Sequence, residues 1–117
     1  MSGLTHEECL NLLTLDGNST ATVVKASGGV VLGWSVHNTS AAPVYVKLYN
    51  IAAGSVLPAS SVPRLVVGVP AGAVNNLTLP NGIAFPAAIS VRVVTDIGHT
   101  GTTAPSAATV VTNILFE

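Results

Sequence analysis

"NTSAAPVYVKLYN", residues 38–50, decides the fold. A cluster of turn formers at 38–43 runs into a stretch that alternates strictly, with Val44, Val46 and Leu48 on one side and Tyr45, Lys47 and Tyr49 on the other. A period of two is the signature of a half-buried β-strand, because successive side chains point to opposite faces. One face belongs to a core. The second face, two tyrosines around a lysine, buries area at low entropy cost while keeping polar tips, which is how aromatic residues serve interfaces. It is read here as an outward contact row.

The same texture extends through the chain from residue 21. "TVVKA" (22–26), "VVLGWSVHN" (30–38), "RLVVGV" (64–69), "VNNLTL" (74–79), "AISVRVVTD" (88–96) and "ATVVTNILFE" (108–117) are short and mostly β-branched. "IAF" (83–85) is a candidate eighth strand. Gly, Pro, Asn and Ser clusters separate them, among them Ser27-Gly28-Gly29, Pro70-Ala71-Gly72 and Pro80-Asn81-Gly82. Seven or eight strands at this spacing, with no helical run between them, predict an all-β fold, an antiparallel β-sandwich of jelly-roll type. In 88–96, Ile89, Val91 and Val93 share one side, and Ser90, Arg92 and Val94 the other. In the last strand Val110, Ile114 and Phe116 lie opposite Val111, Asn113 and Leu115. Both of its faces are largely apolar, so it belongs in a sheet centre or at a subunit contact. Leu32, Trp34 and Val36 share a face, with Trp34 as a core anchor; Gly33 marks a bulge or a close backbone approach.

Residues 1–20 differ. "THEECLNLLTLDGNST" carries three of the five acids, and its leucines follow neither period cleanly. A short helix capped by Thr5, with Glu8 at the capping-box position, competes with an extended arm. The expected organisation is an N-terminal arm over 1–20 and a sandwich over 21–117.

Composition narrows the function. Only 8% of the 117 residues are charged, against about 25% in average soluble proteins, and the mean hydropathy is +0.63. A chain so poor in charge lacks the coat that keeps small monomers apart, so a permanent assembly is expected. The four cations, Lys25, Lys47, Arg64 and Arg92, are scattered, which argues against nucleic acid. No apolar run reaches the length of a spanning helix, and the N-terminus has no signal-peptide pattern, so synthesis in a cytoplasm and no membrane partner are expected. Cys9 is the only cysteine. His6 and Cys9 make at most two ligands, short of a structural zinc site. No nucleophile elbow occurs, and Asp16 and Asp96 are the only acids away from the termini. No enzyme activity, cofactor or metal is expected. Asp96 and His99, in the loop at 96–107, are read as residues of a hairpin tip, and the sequons at Asn18, Asn38 and Asn76 as turn and strand-edge polar groups.

Three stretches together, "TSAAPVYVKLYN", "VPRLVVGVPAG" and "LPNGIAFPAAISVRVVTDIGHTGTTAPSAATVVTNILF", resemble small virion proteins of tailed bacteriophages, of the capsid decoration or cement type. The likeness runs from residue 29 to the end, with Ala88 standing where the pattern has glycine. The resemblance implies a non-enzymatic protein on the outer capsid shell, a homotrimer bound to the major capsid protein. The contact residues expected on that reading are Tyr45, Lys47, Tyr49, Val110, Ile114 and Phe116. The alternative is a carbohydrate-binding or tail-fibre domain for a host glycan, with Asp96, Asn81 and Asn113 as its polar candidates.

Overall fold

The computed structural model describes residues 11–58, 60–98 and 100–117. Eight strands form: β1 (Asn11–Asp16), β2 (Thr22–Lys25), β3 (Gly29–Asn38), β4 (Val44–Tyr49), β5 (Leu65–Val69), β6 (Val74–Phe85), β7 (Ile89–Val94) and β8 (Val110–Phe116). One turn of 3-10 helix, Ala53–Ser55, is the only helical element among the described residues. The pairings are nested and antiparallel: β1 with β8, β2 with β7, β3 with β6, β4 with β5. β3 also pairs with β8 and β4 with β7, giving sheet A in the order β1-β8-β3-β6 and sheet B in the order β2-β7-β4-β5. This nested order is that of a jelly roll, so the expected all-β sandwich is the fold.

The core lies between the sheets. Sheet B contributes Val44, Val46, Leu48, Val67, Val69, Ile89, Val91 and Val93; sheet A contributes Val31, Val36, Phe85, Val110 and Ile114. The alternation in 44–49 and 89–94 therefore places its apolar sides as expected. β8 lies between β1 and β3 in sheet A, with Val110 and Ile114 on the core and Val111 exposed on the outer side, so only one of its two apolar faces is buried between the sheets.

Three details depart from the sequence reading. Asn11–Asp16 is an edge strand of sheet A, not part of a separate arm, with Leu13 and Leu15 packed on the core and Leu12 exposed. The exposed Leu12 is what blurred the alternation. The helix expected from Thr5, and the His6–Cys9 pair, lie outside the described residues. Second, Val31 pairs with Phe116 but Gly33 with Leu115, so Leu32 is an extra residue in β3. This bulge returns Val31, not Leu32, to the core cluster. Third, 74–79 and 83–85 belong to one strand. Residues 79–82 stand opposite Leu32 alone and make a wide bulge, closed by Gly82 at φ +69°, a conformation glycine adopts without the Cβ penalty.

Asn38, buried at the end of β3, secures the crossover to sheet B. Its Nδ2 donates to the carbonyls of Ala42 (2.8 Å), Val69 (3.2 Å) and Pro70 (3.1 Å), and its Oδ1 accepts from Ser40 N (3.0 Å).

Candidate functional site

The outer face of sheet B is not a contact row. Lys47 and Tyr49 are 0% exposed, and Ser90, Arg92 and Val94 beside them on β7 are as deeply buried. The loops of the chain itself cover them. Arg92 donates from Nε to Ser19 O (2.7 Å), from Nη1 to Tyr49 Oη (2.9 Å) and from Nη2 to Gly101 O (3.2 Å). Lys47 Nζ donates to Gly98 O, and Ser90 Oγ to Ile51 O at 2.8 Å. Three connections, those holding Ser19, Ile51 and the pair Gly98 and Gly101, thus close over sheet B, the first and third tied by the cations and the second by Ser90. Burial pushes the Lys47 ammonium below its ordinary pKa of 10.5, the Arg92 charge adds to the effect, and Asp96 opposes it.

The expected contact residues therefore need correcting. Lys47 and Tyr49 are sealed under loops, and Val110 and Ile114 are 0% exposed in the core. Tyr45 and Phe116 are partly buried, Phe116 against the core. The register brings these six to two different sheets and to no shared surface.

On sheet B the large apolar residues that stay exposed are the edge-strand Val23 and Val66, whereas among the described residues no connection closes over the outer side of sheet A. Cross-strand partners share a face, so the register lays three rungs across all four strands. The first is Leu12, Leu115, Gly33 and Thr78; the second is Thr14, Asn113, Ser35 and Asn76; the third is Asp16, Val111, His37 and Val74. The middle rung is a hydrogen-bonded chain. Thr14 Oγ1 donates to Asn113 Oδ1 at 2.6 Å, Asn113 Nδ2 to Ser35 O at 3.1 Å, and Ser35 Oγ to Asn76 Oδ1 at 2.6 Å. Of the twelve positions only Asp16 and His37 carry ionisable side chains. Leu12 (64% exposed), Val74 (50%) and Val111 (39%) give it apolar surface.

Gly33 cuts a notch into this face. A Cβ there would lie 2.6 Å from the Leu77 carbonyl oxygen, so β6 packs against bare backbone. A groove of about 330 Å³ results, lined by Leu12, Trp34, Leu77, Thr78 and Leu115 among others. Trp34 packs on the core and is held by its indole N–H, which donates to Asn75 Oδ1 at 3.1 Å. Asn75 Nδ2 in turn donates to Gly68 O at 3.0 Å.

Sequence reasoning singled out Gly33, Trp34 and Asn113 and set Val111, Asn113 and Leu115 on one side of their strand, but it did not assemble this face. Its residues are ordinary Thr, Ser and Asn taken one at a time, and only the four-strand order makes them a surface. Of the residues weighed for a glycan, Asn113 lies on this face, whereas Asp96 accepts the Thr103 N–H at 3.3 Å in the loop over sheet B; His99 lies outside the described residues. Among the described residues no three His, Cys, Asp or Glu side chains lie together, and no helix is long and apolar enough to cross a membrane. Asn18 and Asn38 accept from the backbone N–H two residues on, as turn asparagines do. Comparison with protein-family models, with curated proteins and with solved structures gives no match.

Proposed function

We propose that this chain is a non-enzymatic structural protein of a tailed-phage virion, seated on the outer capsid shell as a homotrimer that ties neighbouring shell subunits together. The observation that carries this reading is the outer face of sheet A. It spans about 19 by 20 Å from strand and rung spacings, with two ionisable side chains in twelve positions. That flat area, on the order of 400 Å², is about half of what one partner contributes to a standard interface. Leu12, Leu115, Val111 and Val74 set apolar area among hydroxyl and amide side chains, a mixed composition like that of non-obligate protein interfaces. The face is built on four hydrogen-bonded strands, so its backbone is already ordered before contact, which lowers the entropic cost of binding. The likeness of residues 29–117 to decoration proteins points the same way.

The test is assembly with and without charge on the face. Light scattering of the purified chain should give three times the 11.7 kDa chain mass, and the chain should co-sediment with shells prepared without it. Ser35→Lys with Asn113→Lys places two cations mid-face and should abolish shell binding while leaving the far-ultraviolet spectrum and melting temperature near wild type. A monomer that does not bind shells, or a double variant that binds as well as wild type, overturns the proposal.

A further inference from the structure

The side-chain amides of this chain are mostly tied down. Asn18, Asn38, Asn50, Asn75, Asn76 and Asn113 each hydrogen-bond through the side chain. Asn81 differs: it is exposed, and its side chain has no hydrogen-bond partner among the described residues. Its backbone is free of the ladder as well. Thr78 and Ile83 pair with β3, but Asn81 falls in the wide bulge between them and has no cross-strand partner. A residue outside the ladder needs little local opening to change conformation.

Asn81 is followed by Gly82, and no other asparagine in the chain precedes a glycine. Glycine carries no side chain to shield its amide nitrogen, so that nitrogen can approach the carbonyl carbon of the preceding asparagine side chain. The unbonded amide and the unshielded nucleophile therefore meet at one position.

We propose that Asn81 is a site of spontaneous deamidation. The backbone nitrogen of Gly82, its proton lost to base, attacks Cγ of Asn81. The Cγ–Nδ2 bond breaks, and Nδ2 takes up a proton and leaves as ammonia. A succinimide ring remains. Water opens it at either carbonyl, giving aspartate, or isoaspartate in which the main chain runs through Cγ. The net change is amide and water to carboxylate and ammonium, with nothing oxidised or reduced. β6 holds no ionisable side chain in its 12 residues, so the product places the first charge on this edge strand. A charge there opposes pairing with another strand edge. The chemistry belongs to the chain alone and does not rest on the virion reading.

The test follows the full chain in mildly alkaline buffer, with and without urea. Mass spectrometry of proteolytic peptides locates the converted residue, and chromatography separates the aspartate and isoaspartate forms. In the folded chain Asn81 should convert within about ten-fold of its rate in urea, give both products and convert faster as the pH rises. Asn81→Gln should leave the same peptide unconverted, because attack would have to close a larger ring. Ser19→Gly gives a second readout. It places a glycine after Asn18, whose side chain accepts from Thr20 N at 2.9 Å and donates to Asp16 O at 3.3 Å. In urea Asn18 and Asn81 of this variant should convert alike. In the folded chain Asn18 should lag by about ten-fold or more, since its two hydrogen bonds must break first. Conversion of Asn81 in urea but not in the folded chain overturns the site. Asn18 keeping pace with Asn81 in the folded variant overturns the role given to the missing hydrogen bonds. Aspartate formed without isoaspartate overturns attack by Gly82.

Discussion

Replacing Gly33 by alanine tests the packing from which the outer face is built. The new Cβ would sit 2.6 Å from the Leu77 carbonyl oxygen and 3.3 Å from the Thr78 Cα. Both are backbone atoms of the paired strand β6, so no side chain can rotate away. Reaching ordinary contact near 3.4 Å requires β6 to retreat by about 0.8 Å, enough to weaken one or two ladder hydrogen bonds at roughly 1 kcal/mol each, with added strain of similar size. Alanine returns about 0.5–1 kcal/mol by restricting the unfolded chain. Because β6 is an edge strand it can yield partly, and the net loss should be about 1–2 kcal/mol. With an unfolding entropy near 2.1 cal/mol/K per residue, a chain of this length loses about 0.25 kcal/mol per degree, so the melting temperature should fall by about 4–8 °C. Urea unfolding should show a lower midpoint at unchanged slope. Gly54→Ala is the control: nothing lies within 4 Å of its Cβ, and it should match or slightly exceed wild type. If Gly33→Ala unfolds within about 0.5 kcal/mol of Gly54→Ala, the close approach of β6 to β3 is not as described.

Two further substitutions probe the interior. Thr112 is fully buried on β8 between Leu15 and Val36, and its hydroxyl has no hydrogen-bond partner among the described residues. Thr112→Val keeps the shape and removes the unpaired group, so it should stabilise the protein by about 1 kcal/mol in urea unfolding; a loss of stability would mean the hydroxyl is satisfied. Lys47→Met removes a buried ammonium whose pKa the fold lowers from 10.5. A depressed lysine binds fewer protons folded than unfolded, so its burial penalty is fully present below the folded pKa and is relieved as the pH rises from there to 10.5. Wild type should therefore gain stability relative to Lys47→Met as the pH rises from neutral into that window. A difference that is flat, or that moves the other way, would contradict the sign of the shift.

The strands were legible because each is a local pattern. Val44, Val46 and Leu48 alternate with polar neighbours, and Ile89, Val91 and Val93 do the same, so the side facing the core follows from the period of two alone. The turn residues at 38–43 located a break for a similar reason, since their preferences are set by their own backbone, whereas Pro80-Asn81-Gly82 marks a bulge inside β6 and not a break. The bulges were less visible. Leu32 looks like any apolar strand residue, and only its pairing with neither Phe116 nor Leu115 marks it as extra.

What covers each sheet was not in the local pattern at all. The alternation says that Tyr45, Lys47 and Tyr49 lie opposite the core; it carries no information about what lies beyond them. That was decided by connections remote in sequence. Ser19 and Gly101 reach Arg92 across separations of 73 and 9 residues, and Gly98 reaches Lys47 across 51. Conversely, Thr14, Ser35, Asn76 and Asn113 become one exposed face only because four strands from both ends and the middle of the chain lie side by side. The residue order determined the strands, their inward sides and the scarcity of charge; the nested strand pairing determined which outward side meets its own loops and which the described residues leave open, because burial is a property of neighbours brought together in space.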